Sequence, residues 1–580
     1  MSYKLWALLL LGGVGLLAPG AAAAQAPVPA PGTVRRHLVF FRDKAGSPFS
    51  LARPEAFLSA RSLARRARQR IAVRPRDLPV NPTYLARVRA VAGAPQLRYS
   101  SRWLNAAVVA CDSATLGRVR ALPEVSGTQT LSVGPRRTGG VGQGRVAAAS
   151  AAKGGVGNQP VLAAGLQGRR ATYGPAFPQN ELLGAVALHE AGFRGEGMQI
   201  AVFDAGFPGV NTVGPFQPLQ REGRLAGTRN FVDGGTGVFL RDSHGTSCLS
   251  TLAANQPGFF VGSAPQATYY LCITEDAGSE RPVEEANWLA AAEYADSAGV
   301  DVISSSLGYT LFDAPARSYT YADLNGRTAL SSRAALEAAR VGMLVVSSAG
   351  NEGNKAWRYV TAPADADSII SVGAVDSLGR RAAFSSVGPT ADGRLKPELV
   401  AQGVQTAVLT PAGAAVRGNG TSFAAPTLAG LAAGFWQAHP QLTAQQVRGY
   451  LLRSASQAAA PDNLLGYGIP NFSAAQALVP PAALPAQELE LYPNPPTDGS
   501  GTLRLRLPPA YAGLALRVRI TDARGALVRD LALPAPTDDG RARPDDVRVL
   551  AVGALAGGSY ICRVEGVGNQ PARSLRFVQP

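Results

Sequence analysis

The chain is expected to fold as an α/β protein: a doubly wound, mainly parallel sheet, preceded by a small α+β unit and followed by a β-sandwich. Three observations predict this. Across residues 179–478 short apolar runs alternate with helical stretches, as parallel βαβ units require. Upstream, residues 34–133 carry a shorter β/α alternation, and downstream of residue 489 there are only short alternating strands with turn residues between them. At 580 residues, 46% hydrophobic and 17% charged, the chain has room for several cores and lacks a disordered composition.

Taken in order, residues 1–24 have one lysine, an apolar run and a string of small residues, which predicts a secretory signal peptide. Residues 25–133 form the α+β unit: strand-like 37–41, an arginine-rich helix at 54–70, helices at 82–91 and 114–122, and strands at 105–111 and 125–131. That order suits a ferredoxin-like split βαβ fold. Residues 134–172 are mostly Gly, Ala, Val, Gln and Arg without periodicity and read as a flexible linker, with Arg169-Arg170 as one processing point.

In the region 173–478, strands are expected at 198–203, 268–274, 301–306, 343–347 and 368–375, and helices at 244–254, 283–298, 331–340, 422–437 and 443–454. Residues 479–488 are a Pro/Ala linker and 489–580 the sandwich. No stretch after residue 24 approaches the roughly 18–20 apolar residues of a membrane span.

The net charge of +16 is unevenly placed. Residues 26–170 carry +19 and residues 171–580 carry −4, so the region with the helix-start serine does not sit in a basic field and a nucleic-acid role is not expected. The densest basic run, Arg61 to Arg76, reads as a solvated helix face at least as well as a polyanion site. Of four cysteines, Cys248 and Cys272 share the central region, where a disulfide or two buried thiols fit equally well.

Three polar residues stand at element edges. Asp204 ends the strand Ile200-Ala-Val-Phe-Asp204, where an open parallel sheet places its ligands. His244 opens a helix within Asp242-Ser-His244-Gly-Thr. Ser422 opens another after Gly418-Asn419-Gly420-Thr421. A helix start favours developing negative charge, although Gly-Thr-Ser is also an ordinary cap. A nucleophilic serine needs a base, and the base a carboxylate. Of the four histidines, His37 lies in the basic unit, His439 at a helix end and His189 before the first strand, which leaves His244. Asn351, in Ser-Ser-Ala-Gly-Asn351-Glu-Gly, is a turn asparagine or an amide aimed into the crevice.

The motifs Ala-Val-Phe-Asp-Ala-Gly, His-Gly-Thr, Ser-Ser-Leu-Gly, Ala-Gly-Asn-Glu-Gly, Phe-Ser-Ser-Val-Gly-Pro and Gly-Thr-Ser-Phe-Ala-Ala-Pro, in this order, resemble the subtilisin-like serine proteases (subtilases) over roughly residues 190–475. The resemblance implies a secreted endopeptidase working through an acyl-enzyme, with Ser422 as nucleophile, His244 as base and then acid, and Asp204 as the orienting carboxylate. It also implies that Asn351 supplies one oxyanion donor and the Ser422 N–H the other. Ser306-Leu307-Gly308 would pair with an extended substrate, Ala349-Gly350 would line the primary pocket, and Glu352 would stand at its rim.

Two departures accompany it. Ala205 stands where the family has Thr or Ser, and residues 388–403 form a longer loop than in the shortest members. No cofactor is implied for the chemistry. Structural calcium is common in the family, but no acidic loop singles out ligands. The basic unit resembles the inhibitory, fold-assisting propeptide of subtilases. The C-terminal region, with Leu491-Tyr-Pro-Asn-Pro and Gly557-Gly-Ser-Tyr560, resembles a type IX secretion sorting domain. The expected partners are peptide substrates, the chain's own propeptide and secretion machinery, with the enzyme a monomer outside the cell or on its surface. The competing expectation, prompted by Ala205, is a silent subtilase fold used for binding.

Overall fold

The computed structural model of the protein describes residues 33–131, 164–480, 490–492, 502–507, 514–535, 546–566 and 573–579. The expected signal peptide (1–24), residues 134–163 of the linker, residues 481–488 of the Pro/Ala linker and residues 493–496 of the tail motif lie outside these. The chain divides into two compact units, one of residues 1–48 and 80–138, the other of residues 49–79 and 139–580.

The arginine-rich segment is not one helix. It is a turn, Pro54–Ala56, followed by α1 (Ala60–Arg68), whose cap Ser59 accepts a hydrogen bond from the Ser62 N–H. It belongs to the second unit. Arg65 and Arg66 are buried, so the expected solvated face is wrong. Charge runs are usually solvated because burying a cation is costly, and carboxylates, the distant Asp296 foremost, reverse that here.

In the first unit, β1 (Arg35–Phe41), β2 (Gln96–Ser101), β3 (Ala106–Cys111) and β4 (Val125–Thr130) make an antiparallel sheet in the order β2-β3-β1-β4. With α2 (Pro82–Ala90) and α3 (Ser113–Arg120) this is the expected split βαβ order. Alternation sends Val39, Phe41, Ala107, Val109 and Cys111 into one core with Val88 of α2 and Leu116 and Val119 of α3.

In the second unit, α4 (Ala164–Tyr173) corrects the linker expectation: the chain is helical from residue 164, with Arg169 paired with Glu190 and Arg170 over the Phe177 ring. Seven parallel strands follow: β5 (Gln199–Asp204), β6 (Leu225–Asn230), β7 (Thr268–Ile273), β8 (Val302–Ser305), β9 (Leu344–Ser348), β10 (Ile370–Val375) and β11 (Leu399–Gln402). Their order is β11-β10-β9-β8-β5-β7-β6, which reverses direction beside β5. Ligands of such sheets bind at that reversal, beyond the strands' carboxyl ends.

The helices that carry or frame the site are α5 (His244–Ala253), α6 (Pro282–Ala298), α7 (Leu330–Arg340), α8 (Thr421–Ala438) and α9 (Ala444–Arg453). α8 is buried from Thr421 to Trp436 because almost every residue is small or apolar. It shares the main core with Ile200, Val202, Leu344, Val346 and Ile370 of the sheet. A hairpin, β12 (Thr406–Leu409) and β13 (Ala415–Gly418), delivers the chain to its start.

The C-terminal strands form two antiparallel sheets. β14 (Glu490–Tyr492), β15 (Thr502–Leu507) and β18 (Asp546–Ala551) make one, and β16 (Leu516–Asp522), β17 (Leu527–Leu533), β19 (Gly558–Gly566) and β20 (Arg573–Gln579) the other. Leu503, Leu505, Val518 and Ile520 share a core, as expected of a sandwich. All four cysteines are free and buried, so Cys248 and Cys272 are thiols. Among the described residues no helix is long and apolar enough to cross a membrane.

Candidate active site

Asp204 closes β5 and is fully buried. Its Oδ1 accepts the Ala205 N–H at 2.8 Å and lies 2.8 Å from His244 Nδ1. His244 is the first residue of α5, turned there by Asp242, whose Oδ1 accepts the His244 N–H at 2.8 Å. The next residue has to be glycine: a Cβ on Gly245 would lie 2.8 Å from Asp204 Cβ, so α5 approaches the strand end closely. Burial disfavours the imidazolium, but the Asp204 carboxylate and the Cys248 sulfur together outweigh it, and the His244 pKa stands well above the ordinary imidazole value. Asp204 Oδ2 is buried without a hydrogen-bond partner among the described residues, beside Ala205.

Ser422 is the second residue of α8, in the first turn, where backbone N–H groups have no intrahelical acceptor. Its Oγ points to the Ser306 carbonyl at 3.4 Å. Pro426, four residues on, has no N–H, so the Ser422 carbonyl loses its helical donor. Two side chains replace it: Ser306 Oγ donates at 2.7 Å and the Cys248 thiol at 3.2 Å. The same sulfur lies 3.8 Å from His244 Nε2, so one atom touches both the imidazole and the serine backbone. Burial pushes the Cys248 thiol pKa up, against the pull of His244.

Asn351 lies in the turn after β9. Its Oδ1 accepts both the Thr421 N–H, at 2.9 Å, and the Thr421 hydroxyl, at 3.0 Å. The amide is thereby oriented, with Nδ2 toward Gly420, beside Ser422.

These distances describe a carboxylate–imidazole pair, a serine at a helix start and an oriented amide donor at the carboxyl ends of parallel strands. The subtilase family model matches residues 195–468, and a model of the peptidase S8 propeptide domain of Bacteroidota matches residues 36–139. Subtilisin DY of Bacillus licheniformis is 32% identical over 279 residues, 47% of this chain and 89% of that protein. Subtilisin Savinase of Lederbergia lenta is 31% identical over 50% of this chain and 95% of that one. Subtilisin NAT of Bacillus subtilis subsp. natto is 34% identical over 47% of this chain, which spans 64% of its length. The chain belongs to the subtilase family.

The other residues expected of a subtilase site are disposed as follows. Leu307 is half-buried and Gly308 exposed, on the chain leaving β8, while the Ser306 hydroxyl is spent on Ser422. Ala349 is buried and Gly350 half-buried after β9. Glu352 is not an open carboxylate, because Lys355 Nζ pairs with it at 2.9 Å. In the longer loop, residues 388–403, Lys396 is buried against Glu398 at 2.7 Å, and at its far end the Gly403 carbonyl accepts the Gly420 N–H at 2.8 Å.

Thr361, Thr421, Cys248 and Pro426 were not assigned to the site from sequence. Thr361 is wedged between the two expected substrate edges: a Cβ on Gly308 would collide with its Oγ1, and one on Gly350 would lie 2.9 Å from its Cγ2. That Oγ1 is buried without a hydrogen-bond partner among the described residues. Only Thr421 and Pro426 carried a local signal, since they flank the serine. Burial explains the other histidines. His189 is held by the Tyr173 hydroxyl at 2.7 Å and by the Ser263 carbonyl at 3.0 Å, and burial lowers its pKa to about 4. His439 bonds Gln476 at 2.7 Å and His37 bonds Thr130 at 3.1 Å.

Proposed function

We propose that this subtilase is a secreted serine endopeptidase made as a zymogen, cleaving peptide bonds through an acyl-enzyme on Ser422. The observation that carries the reading is the 2.8 Å contact between Asp204 Oδ1 and His244 Nδ1, which leaves Nε2 as the proton acceptor. Ser422 Oγ turns from the Ser306 carbonyl to His244 Nε2, gives up its proton there and attacks the scissile carbonyl. The oxyanion receives Asn351 Nδ2 and the Ser422 N–H. His244 hands the proton to the leaving amine, and water, activated by the same nitrogen, releases the acyl group. Nucleophile, base and orienting carboxylate are side chains, so a cofactor is not part of the proposed chemistry. An extended substrate would lie along Ser306-Leu307-Gly308, with its acyl-side residue between Gly308 and Ala349-Gly350.

The apolar run at residues 5–17 supports export, and the propeptide match supports an inhibited precursor. The C-terminal sandwich is assigned, on its sequence motifs, to type IX sorting. A fluorophosphonate probe tests the central reading: it labels processed protein at Ser422 and not the Ser422→Ala variant, and correctly processed, folded protein that stays unlabelled would sink it. One observation favours the silent, binding reading, namely the unpartnered Asp204 Oδ2 beside Ala205. Casein hydrolysis that is no faster than with Ser422→Ala would establish that reading instead.

A further inference from the structure

Residues 49–79 fall within the stretch matched by the propeptide model, yet by their packing they are part of the second unit, which holds the site. The packing is specific. Arg65 and Arg66 of α1 are 1% and 2% exposed, and both guanidinium groups hold Asp296 near the end of α6: Arg66 at 2.7 Å on Oδ2, Arg65 on Oδ1. The other edge of Arg66 is held by Asp77 at 3.2 Å. Arg61 and Arg68 take the buried Asp301, Arg68 at 3.6 Å, and Arg76 pairs with Glu337 of α7.

Backbone groups complete the fit. The Ser59 N–H donates to the Ser297 carbonyl at 3.0 Å and Arg61 Nε to the Gly299 carbonyl at 3.1 Å. Gln69 donates to the Gly342 carbonyl at 2.7 Å and accepts the Ala444 N–H of α9 at 2.9 Å. Gly299 and Gly342, with φ of +93° and +90°, end α6 and α7, and a Cβ on either would strike Arg61 or Gln69. Arg68 lies over the Trp436 ring at the far end of α8, 5.9 Å from its centroid.

This surface is at the amino-terminal end of the strands, remote from the triad, since Asp301 precedes β8 whereas Asp204 ends β5. The surface is also acidic where it receives the arginines. Asp296 stands at the carbonyl end of α6, where the helix dipole repels a carboxylate, and Asp301 follows it. Both are buried and both pair with arginines from residues 61–68. Taking those arginines away would remove these cationic partners from two buried carboxylates, and breaking a buried ion pair from one side is costly.

We propose that this surface is a docking site for the chain's own residues 49–79, and that this segment stays bound as a structural part of the active enzyme after the precursor is cut. Inhibition then has to be lifted elsewhere in the propeptide, because this segment touches the end of the sheet away from Ser422.

Two arms test the proposal. In processed wild-type protein labelled with fluorophosphonate, a peptide containing residues 60–77 should co-elute with the labelled chain even at about 0.5 M salt, because buried pairs are weakly screened. A labelled, folded chain free of that peptide overturns the proposal. The second arm does not depend on catalysis: full-length Ser422→Ala is nicked within residues 132–163 by added trypsin, and the same peptide should co-elute. It should be lost when Arg65→Met and Arg66→Met are added, and should dissociate more readily with the half-exposed Arg61→Ala. Retention unchanged in both variants would overturn the arginine latch. Retention without any labelling of the processed wild type would strike the proposed catalysis and leave the docking site standing.

Discussion

Asn351 shows how one residue acquires a direction. Both Thr421 donors engage its oxygen, so its nitrogen is the atom that the proposed mechanism assigns to the oxyanion. Asn351→Leu should lower kcat by about 10²–10³ with little change in KM, the magnitude known for loss of this donor in subtilisin. Thr421→Val should cost less and in the same parameter, because the amide then reorients without vanishing. Steady-state kinetics on one peptide substrate separates the two.

In the proposed mechanism His244 sets the pH response. The imidazole must be neutral to accept the serine proton, and Asp204 raises its pKa, so activity is lost as pH falls through that raised value. The acid limb of kcat/KM should therefore lie above the ordinary 6.5 or so of free imidazole. Asp204→Asn should shift the limb down while cutting kcat by about 10⁴. A wild-type limb at or below the free value would contradict the pairing. Thr361 fills the gap between Gly308 and Gly350, so small acyl-side residues should be preferred. Thr361→Gly should raise kcat/KM for a phenylalanyl relative to an alanyl peptide by about tenfold or more, and an unchanged ratio would remove Thr361 from the pocket.

At the scale of elements, α8 is the part whose packing least tolerates change. Gly430 faces Ser263 so closely that an added Cβ would lie 2.7 Å from the serine Cβ and 2.9 Å from its backbone carbon. Gly430→Ala should thus destabilise by about 1–3 kcal/mol through overpacking, although alanine is the better helix former. Denaturant unfolding in the Ser422→Ala background, which prevents self-digestion, measures it. Pro426 would ordinarily argue against an uninterrupted helix, and it is tolerated because Ser306 and Cys248 supply the missing donors.

The elements that escaped sequence reasoning share a physical cause. β6 reads Leu-Ala-Gly-Thr-Arg-Asn and lies at a sheet edge, with too few apolar residues to show a strand period. β11 is only four residues long. The α1 arginines looked solvated because the carboxylate that Arg65 and Arg66 share lies more than 200 residues away, Arg65 and Asp296 being separated by 231 positions.

For the whole molecule, charge location already separates a basic N-terminal region, +19 over residues 26–170, from a slightly acidic remainder. If processing is autocatalytic, Ser422→Ala should be recovered with the N-terminal region still covalently attached, while the wild type is cut. Intact mass of both proteins decides this, and a variant trimmed like the wild type would assign the cut to another protease. The sequence alone carried the alternation that makes a parallel sheet and singled out Asp204, His244, Asn351 and Ser422 as candidates. Those features are written in local patterns: periodicity, turn residues and short motifs around each side chain. Only the tertiary structure decided which way the Asn351 amide faces, that Cys248 lies on His244 as a free thiol, and that Thr361 closes the space behind Gly308. It also decided that Arg65 and Arg66 of α1 are buried partners of Asp296. Each of these depends on residues brought together from distant parts of the chain, and local sequence carries no record of such contacts.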